Sequence, residues 1–304
     1  MGALSLSAAT QGSDGSLPCV AIVGVGLIGG SLAAALKQRG LVSEVLGAGR
    51  SASSLACAQT LGLIDRTVSF QQAAEQADIV VLAAPVGATG PVLQAMCPHL
   101  RDTTLVTDAG STKVNVVQAA REALGHRVGQ FVPGHPIAGA EKTGPEAADP
   151  LLYQNRVTVL TPLEENTSAA RQTITRLWES VGARVLSMEP DTHDRALASV
   201  SHVPHFLSSV FMWQVATAQD SDLRFALAGS GFRDFTRIAA GSAEVWRDIF
   251  LSNREAVLAE LTEVRAALDQ AQHFLQQAQG KELEDFLERA ALSRRFWGSR
   301  SGLK

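Results

Sequence analysis

Short apolar runs alternate with amphipathic helical patterns from about Cys19 to Glu189. The apolar runs are continuous rather than alternating, which is typical of parallel strands in a sheet that is covered on both faces. The predicted strands read CVAIVGVG, EVLGAG, DIVVLAAP, TLVTDAGS and QFV, with helices at residues 27–39, from about 53 to 62, near 91 and over VNVVQAAREAL. This pattern predicts an α/β fold in which residues 18–189 form a doubly wound domain.

The pattern changes after about Glu189. Before it, polar residues 139–156 predict a long loop over a sheet edge, and RVTVLTP and ARVLSM predict two further strands around a crossover helix. From His193 onward no strand pattern is present, and apolar residues recur at helical spacing. Residues 190–304 are therefore predicted to form an all-helical domain for substrate binding and, by analogy, dimerisation. Residues 1–17 are predicted to be a flexible leader.

A glycine-rich turn follows the first predicted strand and opens the first predicted helix. In GVGLIG the first glycine allows a tight turn, the second lets a pyrophosphate approach the backbone, and the third lets helix and strand pack closely. The start of the helix then binds the phosphate. This context predicts a Rossmann-type, dinucleotide-binding domain. The predicted contacts are Gly24, Gly26, Leu27, Ile28 and Gly29, together with Pro85 and Asp108 at the ends of later strands.

The second predicted strand ends at Arg50 without a carboxylate. An NAD site places Asp or Glu near there, on the ribose diol. An arginine beside hydroxyl groups, here Ser51 and Ser53, suits the 2′-phosphate of NADP, because a guanidinium binds a phosphate with two hydrogen bonds. The sequence therefore predicts NADP as the preferred cofactor, with NAD second, against the alternative that Arg50 is only a solvated turn residue.

Chemistry in a doubly wound domain lies beyond the carboxyl ends of its strands. Two motifs follow strands there: DAGSTK, which contains Ser111, and GHPIAG, which contains His135. This position favours a catalytic role for His135 among the seven histidines. In the helical part, GSGFRDFTR carries Arg233 and Arg237, which suit recognition of a substrate carboxylate. The alternative is a local ion pair between Arg233 and Asp234.

The motif SHVPH lies in the predicted helical domain. Ser201 or His202 is predicted to cap a helix that is entered through Pro204, so that free N–H groups face an anion. A metal site at His202 and His205 is less favoured than substrate contact, because no Cys or carboxylate nearby completes a ligand set. The prediction is therefore substrate contact and no metal.

In this order and spacing, GVGLIGGSLA, DAGSTK, GHPIAG, SHVPH and GFRDFTRIA resemble the prephenate/arogenate dehydrogenase family of tyrosine biosynthesis. The resemblance covers the chain from about Cys19 to the helices after Arg247. It implies an enzyme that oxidatively decarboxylates a cyclohexadienol and passes the hydride to a nicotinamide cofactor.

By the family pattern, His135 accepts the proton of the ring hydroxyl and Ser111 shares that contact. Arg237 corresponds to the arginine that binds a substrate carboxylate, while His202 and His205 line the same pocket. Histidine at position 205 resembles the members that accept prephenate, whereas an acidic residue there favours arogenate. Because His135 must be neutral, activity is expected to fall on acidification near pH ~6.5.

Three alternatives remain at this point. An arogenate-specific dehydrogenase differs only in the substrate side chain that it accepts. A β-hydroxyacid dehydrogenase has a similar architecture but needs a catalytic lysine in its helical domain, and no lysine lies between Lys142 and Lys281. A non-catalytic redox regulator would need the glycine-rich turn but not Ser111, His135 and Arg237 together.

Composition narrows the partners and the location. A formal net charge of −4 and 5% aromatic residues argue against nucleic acid and anionic lipid. No apolar run is long enough to span a bilayer, and no signal peptide is recognised, which predicts a cytoplasmic protein. The expected partners are the small-molecule substrate and a second copy of the chain in a homodimer.

Overall fold

Parallel strands form the central sheet of the protein. The structure is a computed structural model, which describes residues 17–140 and 142–300. The strands are β1 (Cys19–Val23), β2 (Glu44–Ala48), β3 (Arg66–Thr67), β4 (Ile79–Leu82), β5 (Leu105–Asp108) and β6 (Phe131–Val132). Their order is β3-β2-β1-β4-β5-β6. The order reverses between β1 and β4, and a ligand crevice is expected beyond the carboxyl ends of these strands. The predicted α/β, doubly wound fold is confirmed, while the predicted leader lies outside the described residues except for Leu17.

Helices pack on both faces of this sheet. They are α1 (Leu27–Gln38), α2 (Ala52–Thr60), α3 (Phe70–Gln76), α4 (Thr89–Met96), α5 (Val114–Leu124) and α6 (Ser168–Ser180). Val20 and Ile22 of β1 belong to one buried apolar cluster, and Ala21 and Val23 belong to another. Because successive side chains of a strand point to opposite faces, the two clusters lie on opposite sides of the sheet. This double burial explains the continuous apolar runs in the sequence.

A second, three-stranded sheet carries the GHPIAG motif. It consists of β7 (Gly134–Pro136), β8 (Val157–Leu160) and β9 (Arg184–Ser187). Strand β8 pairs antiparallel with β7 and parallel with β9. The sequence predicts β8 and β9 around the crossover helix α6, but not β7, because three residues that include glycine and proline give no strand pattern.

Helices make up the rest of the described chain, with no strand after Ser187 in residues 188–300. They are α7 (Pro190–Leu197), α8 (Val203–Ala216), α9 (Ser221–Ala226), α10 (Ser230–Thr236), α11 (Ala243–Ser252), α12 (Arg254–Gln276) and α13 (Gly280–Arg300). The chain divides into two compact units after Arg254, so that α7 to α11 belong to the unit of the sheets. The predicted boundary at residue 189 coincides with the change from mixed strands and helices to helices alone. As a boundary between domains it remains a prediction. None of the described helices is both long and apolar enough to cross a membrane.

The predicted helix start at SHVPH is wrong. Helix α7 continues into α8 through a π-helical turn at Ala198–His202, and His202 itself has helical backbone angles. Because the helix does not begin there, neither Ser201 nor His202 caps it, and no free N-terminal N–H groups face an anion. Pro204 lies just after the π-helical turn. Such turns within α-helices are frequent at functional sites.

Candidate active site

The glycine-rich turn lies between the end of β1 and the start of α1. Gly24 has a φ of +94°, and a Cβ there would lie 2.7 Å from the carbonyl oxygen of Ala83. A Cβ on Gly29 would lie 2.2 Å from the carbonyl oxygen of Gly24. At Gly26, by contrast, a Cβ would meet nothing within 4 Å. The backbone therefore needs glycine at positions 24 and 29, and the space beside Gly26 is open.

A cavity of about 630 Å³ lies beside this turn. Its lining includes predicted cofactor residues: Gly24, Gly26, Arg50, Ser51 and Pro85. The first turn of α1 carries no acidic residue, and no side chain caps its N–H groups. These unpaired donors, the open space beside Gly26 and a volume in the usual range of ligand pockets fit the pyrophosphate of a dinucleotide.

Other parts of the cavity wall were not predicted. Gly144 and Pro145, from the long loop, and Glu244 and Asp248, from α11, line it too. The loop packs on α1 rather than over a sheet edge, because buried Tyr153 donates its hydroxyl to the carbonyl of Ile28 at 2.5 Å. The predicted contacts Leu27, Ile28, Gly29, Ser53 and Asp108 are absent from the wall formed by the described residues. Their cofactor contacts remain predictions.

Arg50 is exposed at the rim of the cavity. Ser51 is the N-cap of α2, and its hydroxyl accepts the backbone N–H of Ser54 at 3.2 Å. The Ser51 hydroxyl also lies 3.0 Å from that of Ser53. Ser54, rather than Ser53, lines the cavity. Among the described residues, no hydrogen bond or ion pair occupies the Arg50 guanidinium, which leaves it available to a phosphate, whereas the Ser51 hydroxyl already has partners.

His135, on β7, is 9% exposed and forms part of a hydrogen-bonded chain of side chains. Its Nδ1 lies 2.8 Å from Nε2 of His193, and the Nδ1 of His193 lies 2.7 Å from Oδ1 of Asp194. Burial lowers the pKa of His135 well below its ordinary value of 6.5, and positive charge on Lys113 and the neighbouring histidines lowers it further. His135 is therefore a neutral imidazole at neutral pH, with Nε2 as the ring nitrogen not engaged by His193.

A buried ion pair lies directly behind His135. Lys113 is fully buried, and its ammonium donates to Oδ2 of Asp108 and, at 2.6 Å, to the carbonyl of Gly134. Asp108 accepts the backbone N–H of Gly134 at 2.9 Å and that of Gly110 at 2.8 Å. Both polar groups of the Gly134 backbone are thus held by this pair. Asp108 therefore fixes the position of β7, and its predicted cofactor contact remains a prediction.

The residues of SHVPH lie near His135. His202 is buried, its Nδ1 lies 3.0 Å from Nδ2 of Asn253, and burial lowers its pKa to about 4. The ring of His205 stacks on Trp246 with centroids 3.6 Å apart. Burial lowers the pKa of His205, and the positive charge of Arg237 lowers it further. His202 lowers the pKa of His135, His205 lowers that of His202, and Arg237 lowers that of His205, so the charges of these predicted residues influence one another within one region.

For two predicted site residues, the structure shows no contact, within the part of the chain that it describes, that supports the predicted role. Ser111 lies partly buried in the turn between β5 and α5, and the partner of His135 Nδ1 is His193, not Ser111. Arg233 is exposed on α10, and no ion pair joins it to Asp234 among the described residues, which removes the predicted local alternative.

His193, Asp194 and Asn253 are site residues that the sequence reasoning missed. His193 reaches a partner 58 residues away, and the Asn253 side chain donates to the Asp194 carbonyl 59 residues away, so no local motif marks them. One signal was present. His193 precedes Leu197 by one helical turn, which places a histidine on the apolar face of α7.

Comparison with known proteins gives a consistent set of matches. Residues 32–187 match the family model for the prephenate dehydrogenase nucleotide-binding domain, and residues 189–289 match the model for the prephenate dehydrogenase dimerization domain. Prephenate dehydrogenase of Lactococcus lactis subsp. cremoris is 35% identical over 271 residues, which are 88% of this chain and 74% of that protein. Cyclohexadienyl dehydrogenase of Zymomonas mobilis is 36% identical over 261 residues, which are 82% of this chain and 88% of that protein. The crystal structure of Aquifex aeolicus prephenate dehydrogenase, in complex with hydroxyphenyl propionate and NAD+, has a TM-score of 0.86 and 33% identity over 92% of this chain and 98% of that chain.

Proposed function

Because the chain belongs to the prephenate dehydrogenase family, we propose that it oxidatively decarboxylates prephenate to 4-hydroxyphenylpyruvate and also accepts arogenate, which would give tyrosine. It is an NAD(P)-dependent oxidoreductase, as its relatives are. The observation that carries the proposal is His135, a buried imidazole with one ring nitrogen fixed by His193 and the other not engaged by it. A cytoplasmic location is retained as a prediction.

The turn at Gly24 and Gly26 and the start of α1 would hold the cofactor pyrophosphate. When bound, the nicotinamide supplies the acceptor for the hydride that leaves the ring carbon. Arg50 would bind the 2′-phosphate of NADP, because no carboxylate from the end of β2 lines the cavity beside it. NADP preference rests on that arginine, and NAD is the second cofactor.

His135 would act as the base for the substrate hydroxyl. The O–H bond of the substrate breaks and an N–H bond forms at His135. At the same time the hydride leaves the ring carbon that bears the hydroxyl, and this carbon becomes a carbonyl. The bond to the departing carboxylate then supplies its electron pair to the ring and through it to the carbonyl oxygen, carbon dioxide leaves, and the ring becomes aromatic. The phenolate oxygen takes the proton back from His135, which completes the phenol and restores the neutral imidazole. Deep burial favours the neutral form of His135, which is the form that can accept the proton.

Carboxylate recognition would fall to the helical elements. Arg237 would bind a substrate carboxylate, and Arg233 is the second candidate, since a guanidinium binds carboxylate through two parallel hydrogen bonds. His202 and His205 would line the same pocket, and Ser111 would share the hydroxyl contact. At position 205 an uncharged histidine offers no carboxylate to the amino group of arogenate, which favours the keto acid prephenate.

A homodimer is part of the proposal. Helices α8 and α9 and the residue that ends α9 expose large apolar side chains, namely Trp213 at 72%, Leu223 at 59% and Leu227 at 77%. Exposed apolar groups at this density mark interaction surfaces. The model matched by residues 189–289 describes a dimerization domain. Sedimentation equilibrium of the full chain tests this, and a monomer at micromolar concentration would contradict it.

A spectrophotometric assay that combines NADP and NAD with prephenate and arogenate tests the proposed activity. We expect reduced cofactor to form with prephenate, with a higher kcat/KM for NADP than for NAD. Tight cofactor binding without turnover of either cyclohexadienol would instead support the redox-regulator alternative. Higher kcat/KM with arogenate would assign the chain to arogenate dehydrogenases.

A further inference from the structure

His193 and Asp194 connect the proposed base to the start of helix α5. Asp194 accepts the backbone N–H of Lys113 at 2.7 Å on Oδ1 and that of Val114 at 2.9 Å on Oδ2. It also lies 2.7 Å from Nδ1 of His193, which in turn contacts His135. His193 is fully buried and Asp194 is 3% exposed. Neither residue was assigned a role by the sequence motifs.

The order of donors along this chain of contacts can be derived from the carboxylate. An ionised carboxylate only accepts hydrogen bonds, so the proton of the His193 ring lies on Nδ1, facing Asp194. In a neutral His193 the other nitrogen, Nε2, is then an acceptor. The Nδ1 of His135, 2.8 Å away, must therefore carry its proton. The lone pair of His135 is left on Nε2.

We propose that His193 and Asp194 are positioning residues that fix His135 in the tautomer with the proton on Nδ1, so that Nε2 is the atom that accepts the substrate proton. The proposal rests on the proposed role of His135 as base. Once Nε2 takes that proton, the ring carries a positive charge, and its Nδ1–H still donates to His193. The hydrogen bond that selects the tautomer therefore also stabilises the imidazolium that forms.

The backbone contacts make this arrangement rigid. The two backbone N–H groups fix the orientation of the Asp194 carboxylate, and the Asn253 amide donates to the Asp194 carbonyl at 2.7 Å. The rings of His135 and His193 meet at 68° with centroids 5.1 Å apart, which allows a hydrogen bond but not stacking. Because all partners are backbone or buried groups, rotation of His193 would leave several of them unpaired.

The first test is the ¹⁵N resonances of the histidine rings in the full-length wild-type protein, labelled at its seven histidines and measured without ligands. We expect His135 to show a protonated Nδ1 and an unprotonated Nε2. The opposite tautomer, with His193 charged and donating to His135, would overturn the proposal. This measurement does not depend on turnover, so it separates failure of this inference from failure of the proposed activity.

The second test compares His193→Gln with His193→Asn. The Gln oxygen can take the place of Nε2 and accept from His135, whereas the Asn amide can take the place of Nδ1 and still donate to Asp194. We expect His193→Gln to retain kcat within about tenfold and His193→Asn to lose about 10²-fold, with KM and cofactor Kd nearly unchanged in both. The ring resonances of His135 should show mixed tautomers in His193→Asn only. Equal losses in the two variants, with the His135 tautomer unchanged, would show a merely structural role and overturn the proposal.

Discussion

Asp108 accepts the backbone N–H of Gly134 at 2.9 Å, so the last residue of β5 in the parallel sheet holds the first residue of β7 in the second sheet. Lys113 binds the carbonyl of the same glycine. A Cβ on Gly134 would lie 3.0 Å from the Asp108 carbonyl oxygen, which leaves little room for another residue. His135 follows directly, so the position of the proposed base depends on a buried ion pair that the substrate need not touch.

Asp108→Asn is predicted to destabilise the protein. Lys113 would keep a buried charge without its partner, and removal of one member of a buried ion pair costs about 3–5 kcal/mol. Asp102→Asn is the matched control, since that carboxylate is 91% exposed and paired with Arg127 at the surface. Its expected effect on the free energy of unfolding is below about 0.5 kcal/mol. Urea titration of both variants measures this, and equal effects would contradict a structural role for the pair.

The pH dependence of kcat/KM is predicted to show an acid limb below pH 6.5. His135 must be neutral, and because burial lowers its pKa, the active form persists to a lower pH than for an exposed histidine. The structure thus predicts the acid limb at a lower pH than the sequence alone does. The groups that face this ring are Lys113, His193 and His202. His99→Gln, at an exposed histidine paired with Glu75, should leave the profile unchanged, whereas a wild-type limb at pH 6.5 or above would contradict the account.

Arg50→Ala is predicted to weaken NADP binding by about 10- to 100-fold, because a charge-assisted phosphate contact contributes about 1.5–3 kcal/mol. The Kd for NAD should change less than about twofold. Calorimetric titration with each cofactor measures this, with Arg127→Ala at the surface as control. Equal weakening of both cofactors would assign Arg50 to another part of the dinucleotide.

Arg237→Gln is predicted to raise the KM for the organic acid by about 10- to 100-fold with a smaller effect on kcat, because it removes charge-assisted contacts to a carboxylate. Arg233→Gln is the matched variant on the preceding turn of α10, where the side chain is exposed. Initial-rate kinetics at saturating cofactor compare the two. A larger KM increase for Arg233→Gln would move carboxylate binding to that residue.

The sequence predicted much of the fold because both sheet faces are buried. Residues such as Val20 and Ala21 pack into different clusters, so the sequence of β1 is an unbroken apolar run. The turn after β1 is rich in glycine because the backbone approaches other groups too closely there for a Cβ. Short elements escaped the pattern: β3 has only two residues, and α3 is marked mainly by the Ser69 capping box. The π-helical turn at Ala198–His202 also gives no periodic signal, which is why the sequence predicts a helix start at SHVPH.

The candidate site was predicted only where function leaves a local motif. Arg50 lies two residues after β2 and His135 three residues after β6, so the position just beyond a predicted strand indicates both of them. His193 and Asp194 contact partners that are 58 and 81 residues away in the sequence, and their role depends on which groups the fold buries together. Asp108 shows the converse, because its place at the end of β5 favours a cofactor contact, whereas its role in binding Lys113 and backbone N–H groups has no local signal.

The kcat of His135→Asn with prephenate tests the central claim most directly, with cofactor affinity measured in parallel by fluorescence titration. Removal of a general base should lower kcat by about 10²- to 10⁴-fold and leave cofactor Kd nearly unchanged. Wild-type turnover by this variant would remove His135 from the chemistry and contradict the account.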